Sequence, residues 1–129
     1  MELYDWSAIA EEKMNPTLSR QVIHTGPMTI ARIWLGKGAI VPLHQHANQQ
    51  VSMVESGALQ FDMADGSVIL HAGDVVVIPP DMPHRVEALE ESRATDLFTP
   101  QREDWIRGDD AYLRVKRAEP QSNQPANLP

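Results

Sequence analysis

The feature that most constrains this fold is a series of short β-type segments separated by turn residues. Between Gln21 and Phe98 the sequence consists of β-branched or alternating apolar runs. Gly-Pro, Ser-Gly, Asp-Gly and Pro-Pro-Asp sequences stop the runs, and these residues supply the positive or fixed φ that a chain reversal needs. Periods and turns together predict an antiparallel sandwich or barrel.

The runs predict nine strands, and a different pattern follows them. The strands are Gln21–His24, Met28–Leu35, Ile40–Gln45, Gln50–Glu55, Ala58–Met63, Ser67–His71, Asp74–Ile78, His84–Ala88 and Arg93–Phe98. After Phe98, Thr99 is suited to cap a helix and Pro100 to occupy its first position. We therefore expect a short C-terminal helix that ends at Gly108.

The chain has 129 residues, which fits one domain with one core. We expect an N-terminal arm over residues 1–18, where Ala8–Met14 carries a weak helical or coil signal. The barrel and its C-terminal helix would occupy residues 19–118. Residues 119–129 are rich in Pro, Asn and Gln, so we predict a disordered tail.

Composition excludes several classes of function. The formal charge of −7 opposes nucleic-acid binding, which needs clustered Lys and Arg, yet a pocket arginine would still admit a small anionic substrate. No stretch of about 18 apolar residues is present, so no membrane segment is expected, and we expect a cytoplasmic protein. With no cysteine, any metal must be held by nitrogen and oxygen.

His44 and His46 form a His-x-His pair on a predicted strand. Alternate residues of a strand point to the same face, so the two imidazoles can converge on one ion. Taken alone, such a pair is more often two solvated or structurally hydrogen-bonded histidines than two metal ligands.

Residues around this pair fall in register with two longer motifs. The first reads Gly38-x5-His44-x-His46-x3-Gln50-x6-Gly57, and the second reads Gly73-x5-Pro79-x-Asp81-x2-His84-x3-Ala88. Together they resemble the two motifs of the cupin superfamily. The resemblance implies a double-stranded β-helix, or jelly roll, that holds one divalent metal on His44, His46, Gln50 and His84. Gln50 replaces the usual glutamate, while Asp81 and Ala88 replace the usual glycine and asparagine.

Gln50 changes the chemistry of that implied site. A glutamine offers a neutral carbonyl oxygen, so the ion keeps its full charge and becomes a stronger Lewis acid. The loss of an anionic ligand argues against an iron oxygenase and for redox-neutral chemistry. Three imidazoles and a carbonyl would accept Ni, Zn, Fe, Mn or Co. The alternative is that the site has lost its metal and Gln50 is a wall residue.

The last predicted strand carries a second group of candidate residues. Strand parity places Asp96 and Phe98 on one face with Ala94. An inward Asp is costly unless it is paired or functional. Arg102 is close enough in sequence to be its partner or to meet a substrate carboxylate. The alternative is an Asp96–Arg102 ion pair that fixes the helix to the barrel, with Phe98 in the core.

The stretch from Asp96 to Trp105, following His, His, Gln and His at the metal positions, resembles the KdgF-type cupins of pectin and alginate breakdown. Those proteins convert 4,5-unsaturated monouronates to linear ketonised sugars. The resemblance implies that Asp96, Phe98 and Arg102 are the catalytic residues and that the partner is an anionic sugar. A metal-dependent dioxygenase and a non-catalytic sugar-binding cupin remain as alternatives. We also expect a homodimer, because a small barrel gains by covering its edge strands.

Overall fold

The computed structural model describes residues 1–114 as a barrel of short antiparallel strands. The strands are β1 Glu12–Asn15, β2 Leu18–His24, β3 Thr29–Leu35, β4 Ile40–His44, β5 Gln49–Ser56, β6 Ala58–Met63, β7 Gly66–His71, β8 Val75–Ile78, β9 His84–Ala88 and β10 Ser92–Thr99. A 3-10 turn covers Trp6–Ala8, and two short helices, α1 Glu103–Ile106 and α2 Ala111–Arg114, follow the strands.

Two antiparallel sheets form the barrel. One has the order β1-β2-β3-β10-β5-β8, and the other has the order β4-β9-β6-β7. Neighbours such as β3, β10 and β5 are far apart in sequence, as the crossing connections of a jelly roll require. The predicted all-β class with a short C-terminal helix is confirmed, and the chain adds a second helix. Among residues 1–114, no helix has the length and hydrophobicity of a membrane span.

Strand boundaries agree with the sequence prediction to within one residue except near the N-terminus, where β2 begins at Leu18 and not at Gln21 and where the sequence pattern does not predict β1. Ala58–Met63 and His84–Ala88 are strands with the predicted limits. The weak helical or coil signal over Ala8–Met14 is wrong at its end, because β1 begins at Glu12 and pairs with β2. Met14 is buried there, so packing against the barrel outweighs the low β propensity of this segment. The segment predicted as an arm therefore contributes a strand.

The C-terminal helix begins later than its capping pattern predicts. Thr99 is the last residue of β10, and a cis peptide bond joins it to Pro100. Neither residue belongs to α1, whose N-cap is Arg102. Gly108 follows α1 at φ +82°, as expected for a residue that ends a helix. The predicted tail at 119–129 lies outside the described residues.

Alternation along three strands decides which side chains enter the barrel. On β10 the buried residues are Ala94, Asp96 and Phe98, with Ser92 before them. On β5 they are Gln50, Ser52 and Val54, and on β9 they are His84, Val86 and Ala88. On β5 and β9 the polar members come first and the apolar members continue into the core, and on β10 Asp96 lies opposite Ser52.

Gly57 joins β5 to β6 at a point where a side chain has no room. Its φ is +86°, and an added Cβ would overlap Ser92 Oγ and the Glu91 carbonyl oxygen. Gly73 shares a positive φ, +94°, but has open space around it. An alanine at either position would strain the backbone, but only an alanine at Gly57 would also overlap neighbouring atoms.

We predict that Gly57→Ala destabilises the fold more than Gly73→Ala. Both substitutions force alanine into the left-handed region, at a cost of about 1–2 kcal/mol. Only Gly57→Ala also overpacks the turn, which adds roughly 1–3 kcal/mol. Urea unfolding of the two variants and the wild type measures the difference, and equal losses of stability would contradict the overlap at Gly57.

Candidate metal centre and active site

Three histidines meet at one end of the barrel. His44 ends β4 and His84 begins β9, and the two residues are directly paired across the sheet. His46 lies in the loop that follows β4, so the prediction that the His-x-His pair lies on one strand is wrong for His46. Ring centroids lie 4.2 Å apart for His44 and His84, 5.1 Å for His46 and His84, and 5.7 Å for His44 and His46. One ring nitrogen from each residue falls within 4.8 Å of the others, so the triad could bind a metal ion.

Local hydrogen bonds leave the same nitrogen of each ring free. The Nδ1 atoms of His44 and His84 donate to the carbonyl oxygens two residues earlier, those of Pro42 and Met82, at 2.8 Å each. His46 Nδ1 lies 3.1 Å from the Asn48 carbonyl oxygen. A carbonyl oxygen only accepts, so these contacts assign the proton to Nδ1. Each neutral ring then presents the lone pair of Nε2, as a metal ligand does.

Gln50 brings its carbonyl oxygen to this cluster. Its amide nitrogen donates to Ser52 Oγ at 2.9 Å, which turns Oε1 toward His46 Nε2 at 3.0 Å. With Nδ1 of His46 already protonated, both atoms of the 3.0 Å contact bear lone pairs. Ligand atoms at about 2.1 Å from one ion, at a right angle, would be separated by about 3 Å. A cation between Gln50 and His46 therefore fits the contact.

Burial makes imidazolium a poor alternative to a metal. Burial lowers the pKa of His46 to about 4, and the positive charge of Arg102 acts in the same direction. Burial also lowers the pKa of His84 and holds that of His44 well below its usual range. His84 Nε2 is buried without a hydrogen-bond partner among the described residues. Solvated imidazoles are thus excluded for His44 and His84, which are 5% and 1% exposed.

The loop that carries His46 is fixed from two sides. Asn48, a buried residue, donates from Nδ2 to the carbonyl oxygens of Pro100 and Gln101. The Asp81 amide donates to the His46 carbonyl oxygen at 2.8 Å. Asp81 has φ +64°, the conformation that explains a glycine in the related motif. The position of the loop is therefore set by the Asn48 side chain and by the backbone hydrogen bond that Asp81 donates to His46.

Asp96 points into the barrel, as strand parity predicts. It is 7% exposed, and its Oδ1 has no hydrogen-bond partner in the described chain. Burial raises its pKa to about 7, outweighing the Ser52 hydroxyl and the Arg102 guanidinium, which both favour the carboxylate. A carboxyl group with a pKa near neutrality can both take up and release a proton.

Arg102 does not pair with Asp96, so the alternative of an ion pair between them is wrong. Its Nε and Nη2 atoms donate to the two carboxylate oxygens of Asp104 at 2.9 and 2.8 Å. The guanidinium carbon lies 4.7 Å from the Phe98 ring centroid and 4.3 Å from that of Trp105. Burial acts to lower the pKa of Arg102, but the hydrogen bonds that it donates to Asp104 and Tyr112 offset this and raise the pKa.

Helix α2 brings Tyr112 to the histidines. The Tyr112 ring centroid lies 4.8 Å from that of His44, and its hydroxyl oxygen accepts from Arg102 Nη2 at 2.9 Å. An ion pair of 2.6 Å between Arg20 Nη2 and Asp110 Oδ2 anchors the start of α2 to β2. Asp110 is 0% exposed and also binds Arg114, so the anchor is a buried network.

A cavity of about 60 Å³ connects these groups. Six of the seven predicted site residues line it together with Tyr112; the six are His44, Gln50, His84, Asp96, Phe98 and Arg102. Pockets that enclose small ligands usually measure about 300–1,000 Å³. A sugar would therefore displace part of the wall to be enclosed.

Sequence reasoning missed four residues of this site. Ser52 lies two residues after Gln50 on the same face of β5, so strand parity could have identified it. Asn48, Asp104 and Tyr112 left no such signal, because their roles depend on contacts between distant elements. The remaining histidines lie elsewhere, since His71 is exposed and His24 contacts Thr29 Oγ1 at 2.8 Å.

Comparison with known proteins finds the same architecture. The family model described as a cupin domain matches residues 32–99. A crystal structure of an RmlC-like cupin from Shewanella frigidimarina NCIMB 400 is 27% identical, with a TM-score of 0.76, and the match covers 81% of this chain and 96% of that one. KdgF from a Halomonas species is also 27% identical, with a TM-score of 0.75 and coverage of 81% and 99%.

A more distant neighbour shares only the fold. Oxalate decarboxylase from Bacillus subtilis is 19% identical, with a TM-score of 0.67, and the match covers 75% of this chain and 29% of that protein. The search of curated proteins found no match.

We predict that Ser52→Ala weakens metal binding about 10–100-fold, the range seen when a partner that orients a ligand is removed. Without the Ser52 hydroxyl group, the Gln50 amide loses the hydrogen bond that directs Oε1 toward His46. Titration calorimetry with Zn²⁺ measures the change. Ser67→Ala, which removes an exposed hydroxyl bound to Asp62, is the control. Equal affinity for Zn²⁺ in Ser52→Ala and the wild type would contradict the role of Ser52 in orienting Gln50 for metal binding.

We predict that Asp96→Asn gains thermal stability relative to the wild type as pH rises from about 4 to about 7. Folded Asp96 holds its proton up to about pH 7, whereas unfolded Asp releases it near pH 4, so the wild type loses stability across this window. Each pKa unit corresponds to about 1.4 kcal/mol. Asparagine cannot titrate, and the histidine contributions cancel in the comparison.

The measurement is the difference in melting temperature between the variant and the wild type at several pH values, with chelator present. A difference that stays constant between pH 4 and 7 would contradict the raised pKa of Asp96. Asp109→Asn, at an exposed position, serves as the control and should show no such trend.

Proposed function

The chain belongs to the cupin domain family, and from that premise we propose that it is a metal-dependent enzyme that opens and ketonises 4,5-unsaturated monouronates. The pectin- or alginate-derived origin of these sugars follows from the resemblance to KdgF-type cupins. The observation that carries the proposal is a carboxyl group with a pKa of about 7, Asp96, which lines one cavity with His44, His84 and the buried Arg102.

His44, His46, Gln50 and His84 would hold the ion. All four donors are neutral, because the pKa values of the histidines are lowered and Gln50 is an amide. A divalent ion on such ligands supplies a Lewis acid that stabilises negative charge developing on a substrate oxygen. The assignment of the histidines as ligands is supported by the backbone carbonyl groups two residues away, which orient all three imidazole rings.

Asp96 would move the proton. In an unsaturated uronate the hemiacetal carbon C1 is joined through the ring oxygen to the C4=C5 double bond. Opening the C1–O bond while a proton moves from the 1-hydroxyl group to the ring oxygen gives an aldehyde and an enol. The enol then takes a proton at C4 while its hydroxyl group releases one, and it becomes the C5 ketone. The reaction is an isomerisation, so proton transfer is its main demand, and no oxidant is needed.

Phe98 and Arg102 would form the surroundings of the reacting carbons. Phe98 covers the inner wall and contacts His46, with ring centroids 5.6 Å apart. Arg102 places a fixed positive charge near the cavity, which favours an anionic sugar. Its Nε and Nη2 atoms are taken by Asp104, so the substrate does not receive the bidentate contact that this edge would offer.

The test is the loss of ultraviolet absorbance of the conjugated double bond in an unsaturated monouronate, relative to the uncatalysed rate. We expect metal-loaded protein to accelerate the loss and a chelator to suppress it. Asp96→Asn should lower the rate about 10²–10⁴-fold, the usual contribution of a general acid–base, while it leaves metal content and folding intact.

Asp109→Asn is the matched control and should keep wild-type activity, because Asp109 is exposed. No acceleration by fully metal-loaded protein would overturn the substrate assignment. Oxygen consumption in its place would indicate a dioxygenase, and uronate binding without turnover would indicate a sugar-binding protein.

A further inference from the structure

Tyr112 is a polar residue of the cavity wall that the proposed reaction does not use. It lies on α2, its ring packs against His44, and it lines the cavity with Asp96 and Arg102. The second tyrosine of the chain, Tyr4, is exposed near the N-terminus. The placement of Tyr112 therefore calls for a separate explanation.

The Tyr112 hydroxyl group has a proton available for a ligand. Its oxygen accepts the hydrogen bond from Arg102 Nη2 at 2.9 Å. A guanidinium only donates, so the hydroxyl proton cannot point to Arg102. Within residues 1–114, no acceptor hydrogen-bonds to this proton. The hydroxyl is therefore a polarised donor at the cavity wall.

Beside the Tyr112 hydroxyl group, Arg102 has one nitrogen atom that forms no hydrogen bond with the described residues. Nε and Nη2 bind Asp104, and Nη2 also binds Tyr112, whereas Nη1 makes no hydrogen bond within the described chain. Two donors bind a carboxylate more strongly and more specifically than one, and Arg supplies a donor with a full positive charge. The Nη1 group of Arg102 and the hydroxyl of Tyr112 are the two uncommitted donors of this pair.

The anchoring of α2 also favours a role for Tyr112 beyond packing. A buried ion pair between Arg20 and Asp110 fixes the residue before α2, and Asn15 Nδ2 donates to the Leu113 carbonyl oxygen at 2.9 Å. These contacts hold the backbone on both sides of Tyr112. A helix of four residues has little stability of its own, so tertiary contacts fix the position of its tyrosine.

We propose that the Tyr112 hydroxyl and Arg102 Nη1 together bind the carboxylate of the substrate, which makes Tyr112 a specificity-determining residue for uronates over neutral sugars. The inference rests on the proposed function for the identity of the substrate. Because Asp104 occupies Nε and Nη2 of Arg102, the substrate carboxylate would accept one hydrogen bond from arginine and one from tyrosine.

Tyr112→Phe tests the proposal, because phenylalanine keeps the ring against His44 and removes only the hydroxyl. Asp104 still holds Arg102 by two bonds, so we expect the melting temperature to stay close to that of the wild type. Tyr4→Phe is the matched control, since it removes a hydroxyl bound only to Glu2.

Two readouts are needed with metal-loaded protein. Titration calorimetry compares binding of galacturonate, a saturated uronate, with binding of galactose, its neutral counterpart. We expect Tyr112→Phe to weaken galacturonate binding about tenfold or more, as for loss of a hydrogen bond to a charged group, and to leave galactose binding unchanged. The KM for the unsaturated monouronate should rise by a similar factor, with kcat within about twofold of the wild type.

Failure of this inference is distinguishable from failure of the proposed function. Normal turnover with unchanged KM and galacturonate affinity in Tyr112→Phe would overturn the role of Tyr112 alone. Absence of turnover in the wild type, combined with a galacturonate preference that Tyr112→Phe abolishes, would overturn the reaction and support the carboxylate site. A wild type that neither binds nor converts a uronate would overturn both.

Discussion

The need to satisfy polar side chains inside a small β-barrel governs the arrangement of this site. A buried polar group without a partner costs several kcal/mol, so inward polar residues must find acceptors nearby. His44 and His84 each find one in the carbonyl oxygen two residues earlier on their own chain. Because these bonds are local, the strands that place the rings also orient them. The satisfied Nδ1 atom then leaves Nε2 of each ring free to act as a ligand.

Charged groups in the interior follow the same rule with more distant partners. The Trp105 ring contacts two guanidinium groups, with the carbons of Arg20 and Arg102 each 4.3 Å from its centroid. Each arginine also binds a carboxylate from the C-terminal helical segment, Asp110 for Arg20 and Asp104 for Arg102. The helices therefore dock on the barrel through cation–π and ionic contacts. The same docking carries Tyr112 to the edge of the histidine cluster.

The sequence was informative where structure depends on periodicity or local turns. Alternation placed Asp96 and Phe98 inside the barrel, and the His-x-His spacing brought two histidines to one end. It was uninformative where distant contacts decide. Residues 12–15, Glu-Lys-Met-Asn, lack β-branched side chains and form a strand only because β2 and the core accept them.

The partner of Arg102 shows a second kind of limit. Asp96 and Asp104 lie six residues before and two residues after Arg102, so both are near in sequence. The choice depends on β10 ending at Thr99 and on α1 starting at Glu103, which turns Asp104 back toward the guanidinium. Likewise, the position of α2 depends on the ion pair between Arg20 and Asp110, which are 90 positions apart. Sequence spacing cannot predict which of many possible distant pairs will form.

The charge balance of the interior explains why Asp96 suits proton transfer. Of the two buried aspartates in residues 1–114, Asp110 is paired with Arg20 and Arg114, whereas Asp96 makes no ion pair. Its pKa therefore responds to whatever charge enters the cavity. A cation on four neutral ligands favours the carboxylate, and an anionic sugar nearby favours the protonated acid. On the proposed function, substrate binding would shift Asp96 toward the form that can donate a proton to carbon. A glutamate at position 50 would add a negative charge to the same cavity, so the neutral amide of Gln50 bears on the pKa of Asp96 as well as on the proposed ligation of the metal.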